Sequence, residues 1–320
     1  MADSNSDSSF SSDYKSWQDG EIRRQDELIR MNQLAQTARG TMEYALLGEG
    51  PVVMGIHGGP GGFDQALFLF DYVSANGFSL LAPSRPGYLG TPLSTGKTPE
   101  EQADAFAALL DTLGIDKVSL IFGSAGGASG YLFAIRHPDR VRCLVAIDAV
   151  VSEYLLPANA SALAEAIFLS GPGEQLIGYL STHYPEKTIH ELLHQESLLR
   201  PEQIDAQVKN ARNDPVQMRL LLRMVRSMSE YPRRKSGVGN DMEQLAHLSD
   251  LPVEKITCPA LIIHGTHDSD VLFYHGVYAR TNIPGAEELW IREGSHFCAW
   301  ISPQAREVQA RILAFLQKNR

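Results

Sequence analysis

A hydroxyl, an imidazole and a carboxylate are the three groups from which proteins build nucleophilic chemistry. The hydroxyl needs a base, and the base needs a partner to hold it. In this chain those types stand just after short apolar runs. KVSLIFGS (117–124) leads into Gly123-Ser124-Ala125-Gly126-Gly127, CPALIIHG (258–265) into Gly265-Thr266-His267-Asp268, and AEELWIREG (286–294) into Gly294-Ser295-His296-Phe297. A fourth run, PVVMGIHG (51–58), leads into His57-Gly58-Gly59-Pro60-Gly61-Gly62.

The runs are the elements that must position these residues. With GFSLLAPS (77–84) and RVRCLVAIDA (140–149), they are each a short apolar stretch ending in Gly, Ser, Asp or His. Such stretches read as strands buried on both faces, hence a parallel sheet. Helices separate them. Thr98-Pro99-Glu100-Glu101 is a capping box with proline at the first helical position, opening a helix over 99–113 that Gly114 stops. A second helix covers Ala125 to His137, and Ser302-Pro303 opens a last one running to about Lys318. This alternation predicts an α/β fold with a doubly wound, mostly parallel sheet. Ligands in such sheets lie at the carboxyl ends of the strands, so Ser124, Asp268 and His296 converge on one edge.

Residues 151–253 break the alternation. They are rich in Leu, Met, Arg and His, are interrupted at Gly171-Pro172-Gly173 and Tyr231-Pro232, and read as an inserted helical lid. The expected organisation is a disordered tail and helical arm over 1–40, core over 41–150, lid over 151–253, and core again over 254–320. The tail reads as unstructured to about residue 17, with seven serines in its first twenty positions. Residues 18–36 carry a loose apolar stripe, an arm that could pack on the body or on a second copy.

HGGPGG (57–62), SRPGYLGTP (84–92), FGSAGG followed by RHPDRV (136–141), the GTHD turn and the GSH turn resemble the α/β-hydrolase superfamily over roughly residues 41–150 and 254–320. The HGGPGG variant is similar to that of proline iminopeptidases and their relatives. The chain order Ser, acid, His is the superfamily's order. That resemblance, with the chemistry of the groups, implies Ser124 as nucleophile, His296 as its base and Asp268 as the acid that orients His296. It implies an oxyanion hole from the backbone amides of Gly59 and Ala125. No cofactor and no metal are implied.

The sequence departs from the superfamily at one point. Gly-x-Ser-x-Gly becomes Phe122-Gly123-Ser124-Ala125-Gly126, with Phe122 in place of a small residue. Anchoring the motif on Gly123 instead would put Ala125 at its centre and leave no nucleophile. The Ser124 frame keeps the double glycine and RHPDRV in place. Asp270 is a rival acid two positions beyond Asp268. His57 reads as structural, hydrogen-bonded beneath the oxyanion loop. His264, His267 and Cys298 lack a fourth partner for zinc. HGGPGG has neither G-x-G-x-x-G spacing nor a Walker lysine, so it is no phosphate loop. The Leu/Met stripe at 218–224 reads as lid core.

The chain has 320 residues and a formal net charge of −10, with no Lys/Arg block, which removes nucleic acid as a partner. No stretch is apolar enough for a membrane span. Three cysteines without CxxC spacing and no charged-then-apolar leader predict a cytoplasmic protein with reduced thiols. The expected function is a serine hydrolase that cleaves a small-molecule ester, thioester, lactone or amide through an acyl-enzyme. Three alternatives stand beside it: a proline-iminopeptidase-like aminopeptidase, a carbon–carbon bond hydrolase and a non-catalytic binding protein. The aminopeptidase would need lid carboxylates for a substrate ammonium, with Glu153, Glu165, Glu174, Glu196 and Glu230 as candidates. Against it, GSAGG lacks the Gly-Gly-Ser-Trp-Gly of that family.

Overall fold

The computed structural model describes residues 6–155, 171–228 and 230–320. Eight strands form one sheet in the order β1-β2-β4-β3-β5-β6-β7-β8. β3 (Val52–Ile56), β4 (Ser79–Pro83), β5 (Val118–Ser124), β6 (Val141–Ala149), β7 (Ala260–Gly265) and β8 (Glu287–Ile291) run parallel. β1 (Gln33–Thr37) and β2 (Gly40–Leu47) form an antiparallel hairpin, and β2 lies antiparallel against β4.

The inner parallel strands β3 to β7 are predominantly apolar because both faces are covered, whereas edge strand β8 carries Glu287 and Glu288. Successive side chains point to opposite faces. Along β7, Leu261 and Ile263 enter the layer of α2 (Phe63–Ser74) and α11 (Ala305–Lys318). Ala260 and Ile262 enter the layer of α3 (Pro99–Thr112), α4 (Gly126–Arg136) and α10 (Phe273–Asn282). The same division splits Ile121 from Leu120 and Phe122 in β5. The capping box of α3 forms as expected: the Thr98 hydroxyl accepts from the Glu101 amide, and the Glu101 carboxylate accepts from the Thr98 amide.

Between β6 and β7 lie five helices within residues 171–245: α5 (Gly171–His183), α6 (Pro185–Gln195), α7 (Pro201–Arg212), α8 (Pro215–Ser227) and α9 (Lys235–Leu245). Pro185, Pro201 and Pro215 each occupy a first helical position, where the missing N–H costs nothing. Gly171-Pro172-Gly173 lies in the first described turn of α5. Residues 156–170 of the expected lid lie outside the described residues.

Three expectations need correction. The chain is helical from Ser6, in α1 (Ser6–Ile29), where an unstructured tail to residue 17 was expected. Its second half is held by distant partners: Glu21 pairs with Arg223 at 2.5 Å, Asp26 with Arg226 at 2.8 Å, and Leu28 is fully buried. The sheet begins at Gln33, inside the expected arm. β1 is an edge strand with only Ala35 buried, so it carries no apolar alternation. The last helix starts at Ala305, because the Ser302 hydroxyl donates back to the Cys298 carbonyl at 2.6 Å instead of capping. Among the described residues no helix is long and apolar enough to cross a membrane.

Candidate active site

β5 delivers Ser124 at its last position, with φ at 52°, a left-handed backbone that a serine adopts only under constraint. The constraint is close packing. A Cβ on Gly126 would lie 2.5 Å from the His57 carbonyl oxygen, and one on Gly58 would lie 2.9 Å from the Ser124 Cβ. Both contacts are too short for a methyl group, so the sharp turn from β5 into α4 requires these glycines. Phe122 is accommodated one helical layer away. Its ring is fully buried, edge-on to Tyr131 with centroids 4.9 Å apart, and a Cβ on Gly130 would meet it at 2.6 Å. The small residue this turn needs is thus supplied at 130 instead of 122.

The loop after β3 lies over Ser124. His57 Nε2 accepts from the Arg85 amide at 2.9 Å, so Nδ1 carries the proton and donates to the Gly58 carbonyl at 2.6 Å. Burial, then the Arg85 charge, holds the His57 pKa well below the usual range, so this imidazole is a neutral strut. The Gly58 amide is taken by Gln65 Oε1 at 2.9 Å. The Gly59 and Ala125 amides donate to no other group among the described residues.

Asp268 and His296 come together. Asp268 Oδ2 accepts from His296 Nδ1 at 2.9 Å, while Oδ1 accepts the amides of Asp270 and Val271, each at 2.9 Å. Asp268 is 1% exposed. Ser124 and His296 border the same cavity but are not hydrogen-bonded to each other. His296 Nε2 instead faces Asp270 Oδ2 at 3.3 Å. The rival acid therefore holds the opposite edge of the ring. Burial alone would lower the His296 pKa, but Asp268 first, then Asp270 and Asp148, carry it well above the ordinary histidine range.

The cavity has a volume of about 480 Å³. Leu69, Phe70, Met224, Met228, Met242 and Trp300 give it an apolar wall. Its charged lining is acidic: Glu191, Glu196, Asp241, Asp270 and the deeper Asp148. Asp241 is committed to Arg85 at 2.5 Å and to the Tyr88 hydroxyl at 2.6 Å. Among the described residues no Lys or Arg lines the cavity, and residues 156–170 contain neither.

Of the candidate lid glutamates whose side chains are described, Glu196 alone reaches this cavity. Glu153 is exposed on a neighbouring cleft and Glu230 pairs with Arg233 at 2.6 Å. Glu165 and the Glu174 side chain lie outside the described residues. Burial, then Asp270, pushes the Glu196 pKa up to about 8, so its carboxyl is mostly neutral at pH 7. His264, His267 and Cys298 do not converge. His264 Nε2 donates to the Val271 carbonyl at 2.8 Å, His267 Nδ1 meets Thr266 Oγ1 at 3.0 Å, and Cys298 Sγ donates to Asp148 Oδ2 at 3.2 Å. Asp148, Arg85, Tyr88, Asp241 and Tyr154 are site residues that sequence reasoning missed. Asp148 left a signal as an acid ending an apolar run, and Arg85 and Tyr88 lie within SRPGYLGTP.

This fold and this strand-edge pocket are those of a hydrolase family. Residues 51–303 match the model of the alpha/beta hydrolase fold, and the chain belongs to that family. It is 30% identical over 282 residues to the uncharacterized hydrolase YcgS of Bacillus subtilis, covering 87% of this chain and 95% of that one. It is 24% identical over 274 residues to the 2-hydroxy-6-oxononadienedioate/2-hydroxy-6-oxononatrienedioate hydrolase of Burkholderia vietnamiensis, covering 82% and 86%. Among solved structures it is similar to an alpha/beta hydrolase fold protein from Nakamurella multipartita, with a TM-score of 0.85, 36% identity, and coverage of 89% and 98%.

Proposed function

We propose that the protein is a serine hydrolase for an uncharged small molecule, cleaving an ester, thioester, lactone or amide through an acyl-enzyme. Ser124 attacks the carbonyl carbon, and its proton passes to His296 Nε2. Asp268 keeps Nδ1 protonated and stabilises the imidazolium that forms. The Gly59 and Ala125 amides receive the developing oxyanion, helped by the N-terminus of α4 behind Ser124. His296 then returns the proton to the leaving group, and water completes the cycle by the same steps. The observation that carries this reading is the Asp268–His296 pair at 2.9 Å beside the cavity that the strained Ser124 also borders.

The acidic lining separates this reading from carbon–carbon cleavage of a dicarboxylate, the substrate class in the name of the Burkholderia relative. A dianion entering this pocket meets the Asp270 carboxylate and finds no Lys or Arg on the described lining, while the His296 imidazolium is already faced by Asp268 and Asp270. The mostly neutral Glu196 is a poor partner for an ammonium, which weighs against an aminopeptidase.

The test is a panel of p-nitrophenyl esters of increasing chain length beside prolyl and alanyl p-nitroanilides and a 2-hydroxy-6-oxodienedioate. The esters should turn over best. A fluorophosphonate should label Ser124 stoichiometrically. Ser124→Ala should abolish labelling and lower kcat by about 10⁴-fold or more while leaving the melting temperature in place. Labelling elsewhere, hydrolysis that survives Ser124→Ala, or a best kcat/KM on the dicarboxylate overturns the reading.

A further inference from the structure

His296 meets a carboxylate at each ring nitrogen. Asp268 takes Nδ1 at 2.9 Å and Asp270 faces Nε2 at 3.3 Å, the nitrogen that would have to receive the proton of Ser124. The Ser124 hydroxyl and this ring share a cavity without bonding. Asp270 is itself placed to move. Its side chain is 20% exposed, whereas that of Asp268 is fully buried, and it borders a second, shallow cleft of about 210 Å³ lined by Ser152, Glu153, Asp250 and His275. The Tyr154 hydroxyl, at the entrance to the inserted helices, donates to Asp270 Oδ1.

We propose that Asp270 is a positioning residue that competes with Ser124 for Nε2 of His296, so that the resting site is latched and opens when Asp270 turns toward Tyr154 and the outer cleft. The proposal rests on the hydrolase reading for its consequence in catalysis, but the latch is a property of the free protein. While Asp270 faces the ring, the imidazolium keeps its Nε2 proton and cannot serve as base. When Asp270 withdraws, that proton passes to solvent, and Nε2 presents a lone pair to the Ser124 hydroxyl.

The charged groups around the ring come from three directions. Asp268 and Asp270 approach from the loop after β7, Asp148 from the end of β6, and Glu196 from the segment after α6, whose carbonyl accepts the His296 amide at 3.1 Å. His264 stands behind Asp268 with its pKa pushed down to about 3 by burial, so it adds no charge. Burial and then Asp268 drive the Asp148 pKa well above the usual carboxylate range. Asp268 and Asp270 are the carboxylates that meet the ring nitrogens, and Asp270 is the one on the Nε2 edge.

The experiment follows the His296 imidazole by NMR in the intact protein, with the pH profile of kcat/KM on the best ester beside it. Activity requires the neutral ring, so kcat/KM falls as pH drops through the His296 pKa. Asp270→Asn removes an anion from Nε2 and should lower that pKa by about one unit or more, moving the acid limb the same way and raising kcat/KM below it about tenfold. Tyr154→Phe deprives Asp270 of its other donor and should shift both the opposite way. If Asp270→Asn does not fold, Tyr154→Phe carries the test alone. Unchanged or same-sign shifts overturn the latch, as does an Asp270→Asn protein as dead at every pH as Asp268→Asn. The expected NMR shifts with no hydrolysis of any substrate would leave the latch standing and remove the hydrolase reading.

Discussion

The two walls of the cavity are built on different principles. The strand wall, carrying Ser124 and the His57–Gly62 loop, is fixed by steric closeness: backbone touches backbone, and a single methyl group at Gly126 has no room. The insertion wall is fixed by buried charge. Arg234 grips Asp64 at 2.7 Å, Arg85 grips Asp241 at 2.5 Å, and Arg223 reaches both Glu21 at 2.5 Å and Asp71 at 2.6 Å. Each pair joins residues far apart in sequence. Buried ion pairs add little net stability over an apolar isostere, but breaking one strands a charge. The insertion is thus registered on the core by an arrangement that is unforgiving of single substitutions. The core, by contrast, is unforgiving of volume.

The largest effect should come from the charge side. Asp241→Ala leaves Arg85, 1% exposed, without its carboxylate. Arg85 also donates to the carbonyls of His57 at 3.0 Å and Gly58 at 3.2 Å, so the loop bearing the Gly59 amide loses its brace. Urea unfolding should report a loss of about 3–5 kcal/mol. Ester turnover should fall with it. A loss below about 1 kcal/mol, the scale of an exposed pair, would erase the distinction between the two walls.

The volume side is sharpened by Phe122 and Gly130. Gly130→Ala pushes a methyl group into the Phe122 ring and should cost about 1–3 kcal/mol through overpacking. In a Phe122→Leu background the ring is gone, and the same substitution should be milder. The double-mutant cycle should therefore show a favourable coupling of about 0.5–3 kcal/mol. Additive effects would mean that the ring and the glycine do not share the space the geometry assigns them.

These residues also mark what a sequence can disclose. Burial on both faces writes the inner parallel strands as short apolar runs, and topology places Ser124, Asp268 and His296 just at or after strand ends, so all three could be singled out by position. Phe122 looked like a defect because its compensation lies eight residues on, one turn into α4 at Gly130, where no motif directs attention. The split between Asp268 and Asp270 was illegible for a geometric reason. Two residues of turn decide which edge of an imidazole each carboxylate meets, and both are plain Asp in the chain. The hold of Glu21 and Asp26 on Arg223 and Arg226 spans some two hundred positions, which is why α1 read as tail and loose arm. Edge strand β1 had no periodicity to offer.

The smallest effect tests whether burial, rather than charge as such, governs the insertion wall. Lys97 Nζ and Glu243 Oε1 are 3.1 Å apart, and the pair joins the loop before α3 to α9, the same helix that carries Asp241. Its side chains are 51% and 59% exposed, so water solvates both charges before and after they meet. Side-chain ordering then consumes most of what Coulomb attraction provides. A Lys97→Ala/Glu243→Ala cycle measured by urea unfolding should give a coupling of about 0.2–1 kcal/mol that shrinks as salt is raised. If this exposed pair coupled as strongly as Arg85 and Asp241, position along the interface would matter and desolvation would not, and the contrast between the two walls would have to be drawn on other grounds.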